Sequence, residues 1–173
     1  MKIFIVEDDP FFGEALNYQL GLNPDYEIIR FTTGKDCLAN LYEQPSVVSL
    51  DYTLPDMTGA DILKRIKDKY PKLPVIILSG QEDMETALEL LRSGAEDYII
   101  KNDDSIHRLR HVLKNLSEKI ELKKEVENLQ EEVGKKYNFS NIIGDSIAIQ
   151  KVFKQMEKAV NSQITVSITG ETG

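Results

Sequence analysis

Ile3-Phe4-Ile5-Val6 runs straight into Glu7-Asp8, and the same change from apolar to polar recurs three more times. Val47-Val48-Ser49-Leu50 leads into Asp51, Val75-Ile76-Ile77-Leu78 into Ser79, and Tyr98-Ile99-Ile100 into Lys101. Short β-branched runs alternating with helix-patterned segments read as parallel strands of an α/β sheet. Ligands of such sheets bind beyond the carboxyl ends of the strands, which is where these polar residues fall. Three carboxylates, a hydroxyl and an ammonium therefore meet in one cleft. That combination suits a divalent cation and a phosphoryl group.

Working outward, the strands are expected at about 2–6, 26–31, 46–50, 74–78 and 96–100. Pro10 stands where a first-turn proline belongs, and Gly59 closes a turn before the next helix. In 60–69, Ile62, Leu63 and Ile66 form an apolar stripe, with Lys64, Arg65, Lys67 and Lys69 on the other side. Met84, Ala87, Leu88 and Leu91 repeat at helical spacing, and Gly94 stops that helix. Strand–helix alternation with short loops predicts a doubly wound parallel sheet with right-handed crossovers.

From about Asp104 a single long helix is expected, ending at Gly134, with 135–138 as a connector. Leu109, Leu113, Leu116 and Ile120 are spaced four, three and four apart. Leu122, Val126, Leu129 and Val133 repeat that spacing, one residue out of phase. The first block reads as the last helix of the domain packed on its own sheet. The second lies beyond any expected sheet and reads as a two-stranded coiled coil with a break before it. Beyond it, Asp145 or Ser146 can cap a helix to about Val160, with Ile149, Val152, Phe153 and Met156 on one face. Residues 164–168 then read as a strand.

The 173-residue chain is 41% apolar, enough for a core, and its formal charge of -8 speaks against a general nucleic-acid-binding surface. One cysteine, Cys37, excludes an intrachain disulfide and reads as a small helix residue. The first apolar run has four residues and is followed by three acids, which is neither a signal peptide nor a membrane span. A cytoplasmic location is expected. His107 and His111 lie four apart, a spacing that suits a metal pair, but no third ligand is near, and a solvated or packed face is the simpler reading. No helix-turn-helix pattern stands out.

Mg²⁺ prefers hard oxygen ligands and keeps several waters. Asp8 and Asp51 each offer an oxygen, the Thr53 backbone carbonyl another, and Glu7 acts directly or through water. Asp51 stands alone at the end of the central run and is the best nucleophile candidate for an aspartyl phosphate. Lys101 and the cation would neutralise the phosphoryl oxygens, and Ser79 would donate to one of them.

Four motifs carry a resemblance: Ile5-Val6-Glu7-Asp8-Asp9-Pro10, Asp51-Tyr52-Thr53-Leu54-Pro55-Asp56-Met57-Thr58-Gly59, Leu78-Ser79-Gly80 and Tyr98-Ile99-Ile100-Lys101. Residues 1–116 resemble the receiver domain of two-component response regulators. The resemblance implies a flavodoxin-like, five-stranded parallel sheet in the order 2-1-3-4-5. It implies Asp51 as phosphoacceptor, Glu7 and Asp8 as the acidic pair, Ser79 as switch hydroxyl, Tyr98 as switch aromatic and Lys101 as phosphate-contacting lysine. Asn102 departs from the proline usual in the family, leaving the Lys101–Asn102 peptide open between cis and trans. Phe139–Ser146 and Thr165–Gly173 resemble the opening of the AAA+ ATPase domain of sigma-54-dependent activators. Gly170, Glu171, Thr172 and Gly173 would begin its phosphate-binding loop, and the lysine and Ser/Thr such a loop needs are not reached.

The organisation expected is a receiver at 1–116, a helical coiled-coil linker at 117–136 and an AAA+ fragment at 137–173. The implied cofactor is Mg²⁺, with ATP only for a complete protein. The implied partners are a sensor histidine kinase, a second copy through receiver and linker, and sigma-54 RNA polymerase and DNA through regions past residue 173. No membrane is implied. The competing reading is an aspartate-nucleophile phosphatase of the haloacid dehalogenase type. That class wants a second carboxylate two positions after the nucleophile, where this chain has Thr53.

Overall fold

The computed structural model describes residues 1–80, 83–136, 146–160 and 167. Five strands, β1 (Lys2–Val6), β2 (Glu27–Phe31), β3 (Val47–Asp51), β4 (Val75–Ser79) and β5 (Asp97–Ile100), pair in parallel in the order β2-β1-β3-β4-β5. Each strand falls within about a residue of its expected span. The apolar runs are β-branched and suit a pleated surface covered on both faces.

Helices α1 (Pro10–Gly21), α2 (Gly34–Ala39), α3 (Gly59–Lys69), α4 (Met84–Arg92) and α5 (Ser105–Lys136) follow the strands in turn, with one 3₁₀ turn at Leu41–Glu43. Four begin on side-chain caps: Asp9, Thr33, Thr58 and Asp83 accept backbone N–H groups of the first turn. On one face of the sheet, Leu16 and Leu20 of α1 and Leu109, Leu113 and Leu116 of α5 pack on Ile3, Ile5, Ile76 and Ile99. On the other, Cys37, Ile62, Leu63, Ile66, Leu90 and Tyr98 close over Phe4, Val6, Leu50 and Ile77. Burial pushes the Cys37 thiol up to about 12, so it stays a neutral core residue.

One expectation is corrected here. The helix expected to stop at Gly134 continues to Lys136. A single glycine costs a helix interior about 1 kcal/mol, which neighbouring good helix formers can absorb. On α4, the periodic residues Met84, Leu88 and Leu91 face solvent, while Leu90 is the buried one. Gly94 does end α4, with φ +97°. No cis peptide occurs among the described residues, so Lys101–Asn102 is trans.

Contacts divide the chain into one unit at Met1–Lys119 and another from Ile120 onward. In the second, α6 (Ile147–Val160) starts on Ser146, whose Oγ accepts the Ile149 N–H at 3.3 Å. Asp145 and most of the strand expected at 164–168 lie outside the described residues, and Ser167 is exposed in no regular element. Among the described residues no helix is long and apolar enough to cross a membrane.

Candidate phosphoryl-acceptor site

The sheet delivers its polar residues to one edge. Asp51 ends β3 and Ser79 ends β4, while Glu7 and Lys101 directly follow β1 and β5. Backbone bonds continue the ladder past the strands: Glu7 N–H to Phe31 (2.9 Å), Tyr52 N–H to Leu78 (2.8 Å) and Lys101 N–H to Ser79 (2.7 Å). These fix where the side chains leave the sheet.

Glu7 and Asp51 are buried, at 1% and 6% exposure, and Asp8 is exposed. One carboxylate oxygen from each of the three lies within 4.8 Å of the others. Lys101 Nζ donates to Asp51 Oδ2 at 2.7 Å and to Glu7 Oε1 at 2.9 Å, and lies 2.7 Å from Glu7 Oε2. It also stands 4.8 Å from the centroid of the Phe12 ring, a cation–π contact. The Thr53 N–H donates to Asp51 Oδ1 at 3.1 Å. Both oxygens of Asp51 are thus held, one by a cation and one by the following loop.

Burial pushes the Glu7 carboxyl up to about 7; the Lys101 ammonium pulls it back, and the Asp51 charge adds to the rise. Burial works against the Lys101 ammonium too, but its bonds to Asp51 and Glu7 outweigh that and leave its pKa raised. A folded-state pKa above the ordinary carboxylate value means the native chain holds more protons than the unfolded one between about 4.5 and 7. Native stability without metal therefore falls as pH climbs through that window, on the order of 3 kcal/mol at most. Urea unfolding from pH 5 to 8 is expected to show this fall in the parent and lose it in Glu7→Gln. Parallel curves for the two proteins would discard the assignment.

The donor set fits a hard divalent cation. Two acids are buried close together, Asp8 is open to solvent beside them, and one ammonium cannot neutralise three carboxylates. Asp9 does other work: its Oδ1 accepts the Phe11 and Phe12 N–H groups at 2.8 and 3.1 Å and caps α1. Asp8→Asn is expected to weaken Mg²⁺ binding about tenfold or more, each tenfold being about 1.4 kcal/mol. Asp9→Asn is expected to change affinity by no more than about threefold, since asparagine caps nearly as well. Calorimetric titration of both variants decides it; equal losses would reverse the division of labour.

Three supporting features were missed in the sequence. Asp56 accepts the Gly34 and Lys35 N–H groups, both at 2.9 Å, and so ties the loop after Asp51 to the start of α2. A Cβ at Gly59 would sit 2.8 Å from Tyr52 Cα and 3.0 Å from the Asp51 carbonyl oxygen, so only glycine lets α3 approach the end of β3 this closely. Phe12 is the third. The turn pattern around Gly59 signals its place, but nothing local in sequence signals the Asp56 or Phe12 contacts.

Ser79 is buried at its strand end, as its position requires. Tyr98 is not part of the carboxylate group; its side chain is buried in the core on the face of the sheet covered by α2, α3 and α4. Gly170, Glu171, Thr172 and Gly173 lie outside the described residues.

Residues 3–114 match the response regulator receiver domain family. The chain belongs to that family. The five-stranded sheet is the flavodoxin-like receiver fold; receiver domains bind Mg²⁺ at an acidic pocket, and Glu7, Asp8 and Asp51 form an acidic cluster here. Among curated relatives, the regulatory protein LuxO of Vibrio cholerae serotype O1 is 35% identical over 162 residues, covering 92% of this chain and 34% of LuxO. The regulatory protein AtoC of Escherichia coli K12 is 30% identical over 173 residues, covering 99% of this chain and 37% of AtoC. This receiver chain thus spans about a third of the length of these relatives. Among solved structures, NtrX from Brucella abortus has a TM-score of 0.64 at 28% identity, covering 91% of this chain and 34% of NtrX. The BeF₃-activated receiver domain of Klebsiella pneumoniae RstA has a TM-score of 0.61 at 26% identity, covering 67% of this chain and 98% of that one.

Proposed function

We propose that this receiver takes a phosphoryl group from a sensor histidine kinase onto Asp51 and thereby controls an attached sigma-54-activating AAA+ ATPase, hence transcription. The observation that carries the reading is Lys101 Nζ held between Asp51 and Glu7, with Asp8 beside them. An Asp51 carboxylate oxygen attacks the phosphorus of the phosphohistidine, the P–N bond breaks, and the imidazole leaves with the electron pair. Asp8, Asp51, the Thr53 carbonyl and Glu7 would hold Mg²⁺, which when bound neutralises phosphoryl oxygens as a Lewis acid. Lys101, already bonded to Asp51 Oδ2, moves to a phosphoryl oxygen without crossing the cleft. Thr53 at the second position after Asp51 supplies no acid or base for hydrolysis, which disfavours the phosphatase alternative.

The readout is assigned to Ser79 and Tyr98. Ser79 ends the strand beside β3 and would bond the phosphoryl group, and Tyr98, buried one strand further on, would follow its movement. The exposed Met84, Leu88 and Leu91 of α4 supply an apolar surface for that change to act on. A second copy through receiver and linker is the partner proposed. Relatives about three times longer than this chain support an output region beyond residue 173. Polymerase and DNA contacts, and ATP, belong to that region.

Ser79→Ala tests the reading. It is expected to accept label from acetyl phosphate with Mg²⁺ to within about tenfold of the parent rate, since one neutral hydrogen bond of about 0.5–1.5 kcal/mol is lost. The phosphorylation-dependent change in sedimentation should disappear. An unchanged sedimentation response would separate the readout from Ser79.

A further inference from the structure

A groove of about 550 Å³ runs between the end of α1 with the loop that follows it and the first turns of α5, away from the carboxylate site. Its α5 wall is His107, Arg110, His111 and Lys114, at intervals of three, one and three, so all four share one helix face. The opposite wall carries Gln19, Leu22, Asn23, Pro24 and Tyr26. No carboxylate lines the groove, and the chain holds no Asp or Glu from Ser105 to Ser117. In a chain of net charge -8 that is a local reversal of sign.

The charges are only loosely matched from within. Asp104 lies 3.7 Å from His107 Nδ1, and Glu118 lies 3.8 Å from Lys114 Nζ, in both cases among exposed groups. Arg108, on another side of the helix, pairs with Asp97 at 3.2 Å. Arg110 makes no ion pair among the described residues. Its planar fork of donors is the side chain best suited to a phosphate.

We propose that this groove binds a purine nucleoside monophosphate. The phosphate sits on the Arg110–Lys114 side, between the two imidazoles. The ring lies against half-buried Tyr26 and the exposed Leu22 and Pro24, an apolar and aromatic wall over buried Leu20. Gln19 presents a donor and an acceptor together, the pair that reads an adenine edge. Asn23 Oδ1 accepts the Asp25 N–H at 3.0 Å, so its amide is fixed and its NH₂ remains as a donor. The volume falls in the usual range for small-molecule sites. This accounts for the His107–His111 pair, which phosphoryl transfer leaves unused, and gives the receiver an input independent of Asp51.

The test is a ¹⁵N chemical-shift titration of the whole chain without Mg²⁺, with AMP, adenosine and inorganic phosphate as separate probes. AMP is expected to give saturable shifts within 19–26 and 107–114, with Kd below about 1 mM. Adenosine and phosphate should each bind at least about tenfold more weakly, because each keeps only half of the contacts. Arg110→Gln and Lys114→Gln change exposed side chains, and each should weaken AMP at least about tenfold while Mg²⁺-dependent labelling of Asp51 stays at the parent rate. Phosphate binding as tightly as AMP would reduce the groove to a counter-ion site and overturn the proposal. So would adenosine matching AMP, no saturation, or full AMP affinity in both variants. Failure of Asp51 labelling in the parent would strike the proposed function and leave this result standing.

Discussion

Asp51→Asn is expected to lose all labelling by acetyl phosphate and Mg²⁺, whereas the parent is expected to gain one phosphoryl group that hydroxylamine removes. Three acids share the cleft, and the structure separates them. Glu7 is more buried than Asp51, is pushed by burial towards its protonated form, and meets Lys101 through both oxygens. Asp8 is exposed, so its carboxylate is well solvated. Only Asp51 ends a central strand with one oxygen held by the Thr53 N–H and the other by Lys101, which fixes the carboxylate plane before a phosphodonor arrives. Asparagine keeps the shape and loses the nucleophilic charge. Because Lys101 keeps Glu7, the variant should lose no more than about 3 kcal/mol of stability, the upper worth of one hydrogen bond between charged groups. Intact-mass and peptide mapping supply the readout. Label on Asp8 or Glu7, or persisting in Asp51→Asn, would reassign the acceptor.

The strands were legible because their signal is local: a β-branched run ends and a polar residue begins. The sheet then converts that one-dimensional signal into a cleft in which Glu7, Asp8, Asp51 and Lys101 fall together, with Ser79 at the neighbouring strand end. What stayed hidden depends on neighbours distant in sequence. Periodicity found Met84, Leu88 and Leu91 on α4 but not which side packs: Leu90, with Ala87 against it, is the side that meets the core, and Met84, Leu88 and Leu91 are exposed. Asp56 reads as one more turn acid, yet it caps a helix twenty-two residues earlier. Gly134 reads as a stop, but a stop needs the left-handed turn that follows it, and here the helix continues. The two heptad-like blocks were separable, and the first is buried on the sheet through Leu109, Leu113 and Leu116.

The second block sets up the last expected result: the chain sediments as a dimer at tens of micromolar, and Val126→Lys with Leu129→Lys makes it monomeric. Leu122, Val126 and Leu129 are 62%, 52% and 54% exposed in the second half of α5. Three large apolar side chains along one seam favour a partner. An unpaired helix of this length is marginal in water, so pairing also explains why the segment is helical. A second copy is the simplest partner, because leucine and valine at heptad spacing meet their own kind across a two-stranded seam. Lys123 and Glu127, 3.8 Å apart and one turn from each other, already show the flanking charge pattern of such a seam. If the second block pairs, the phase slip between Ile120 and Leu122 is expected to leave a weak point at the start of the seam. Two lysines facing each other across the seam cost several times the affinity of a weak coil, so the shift is expected to be complete rather than graded. Truncation after Leu116 should give the same monomer with its core intact, since Leu109, Leu113 and Leu116 remain. A monomeric parent, or a dimer that survives both changes, would remove the linker from the interface and leave the exposed face of α4 as the surface to test.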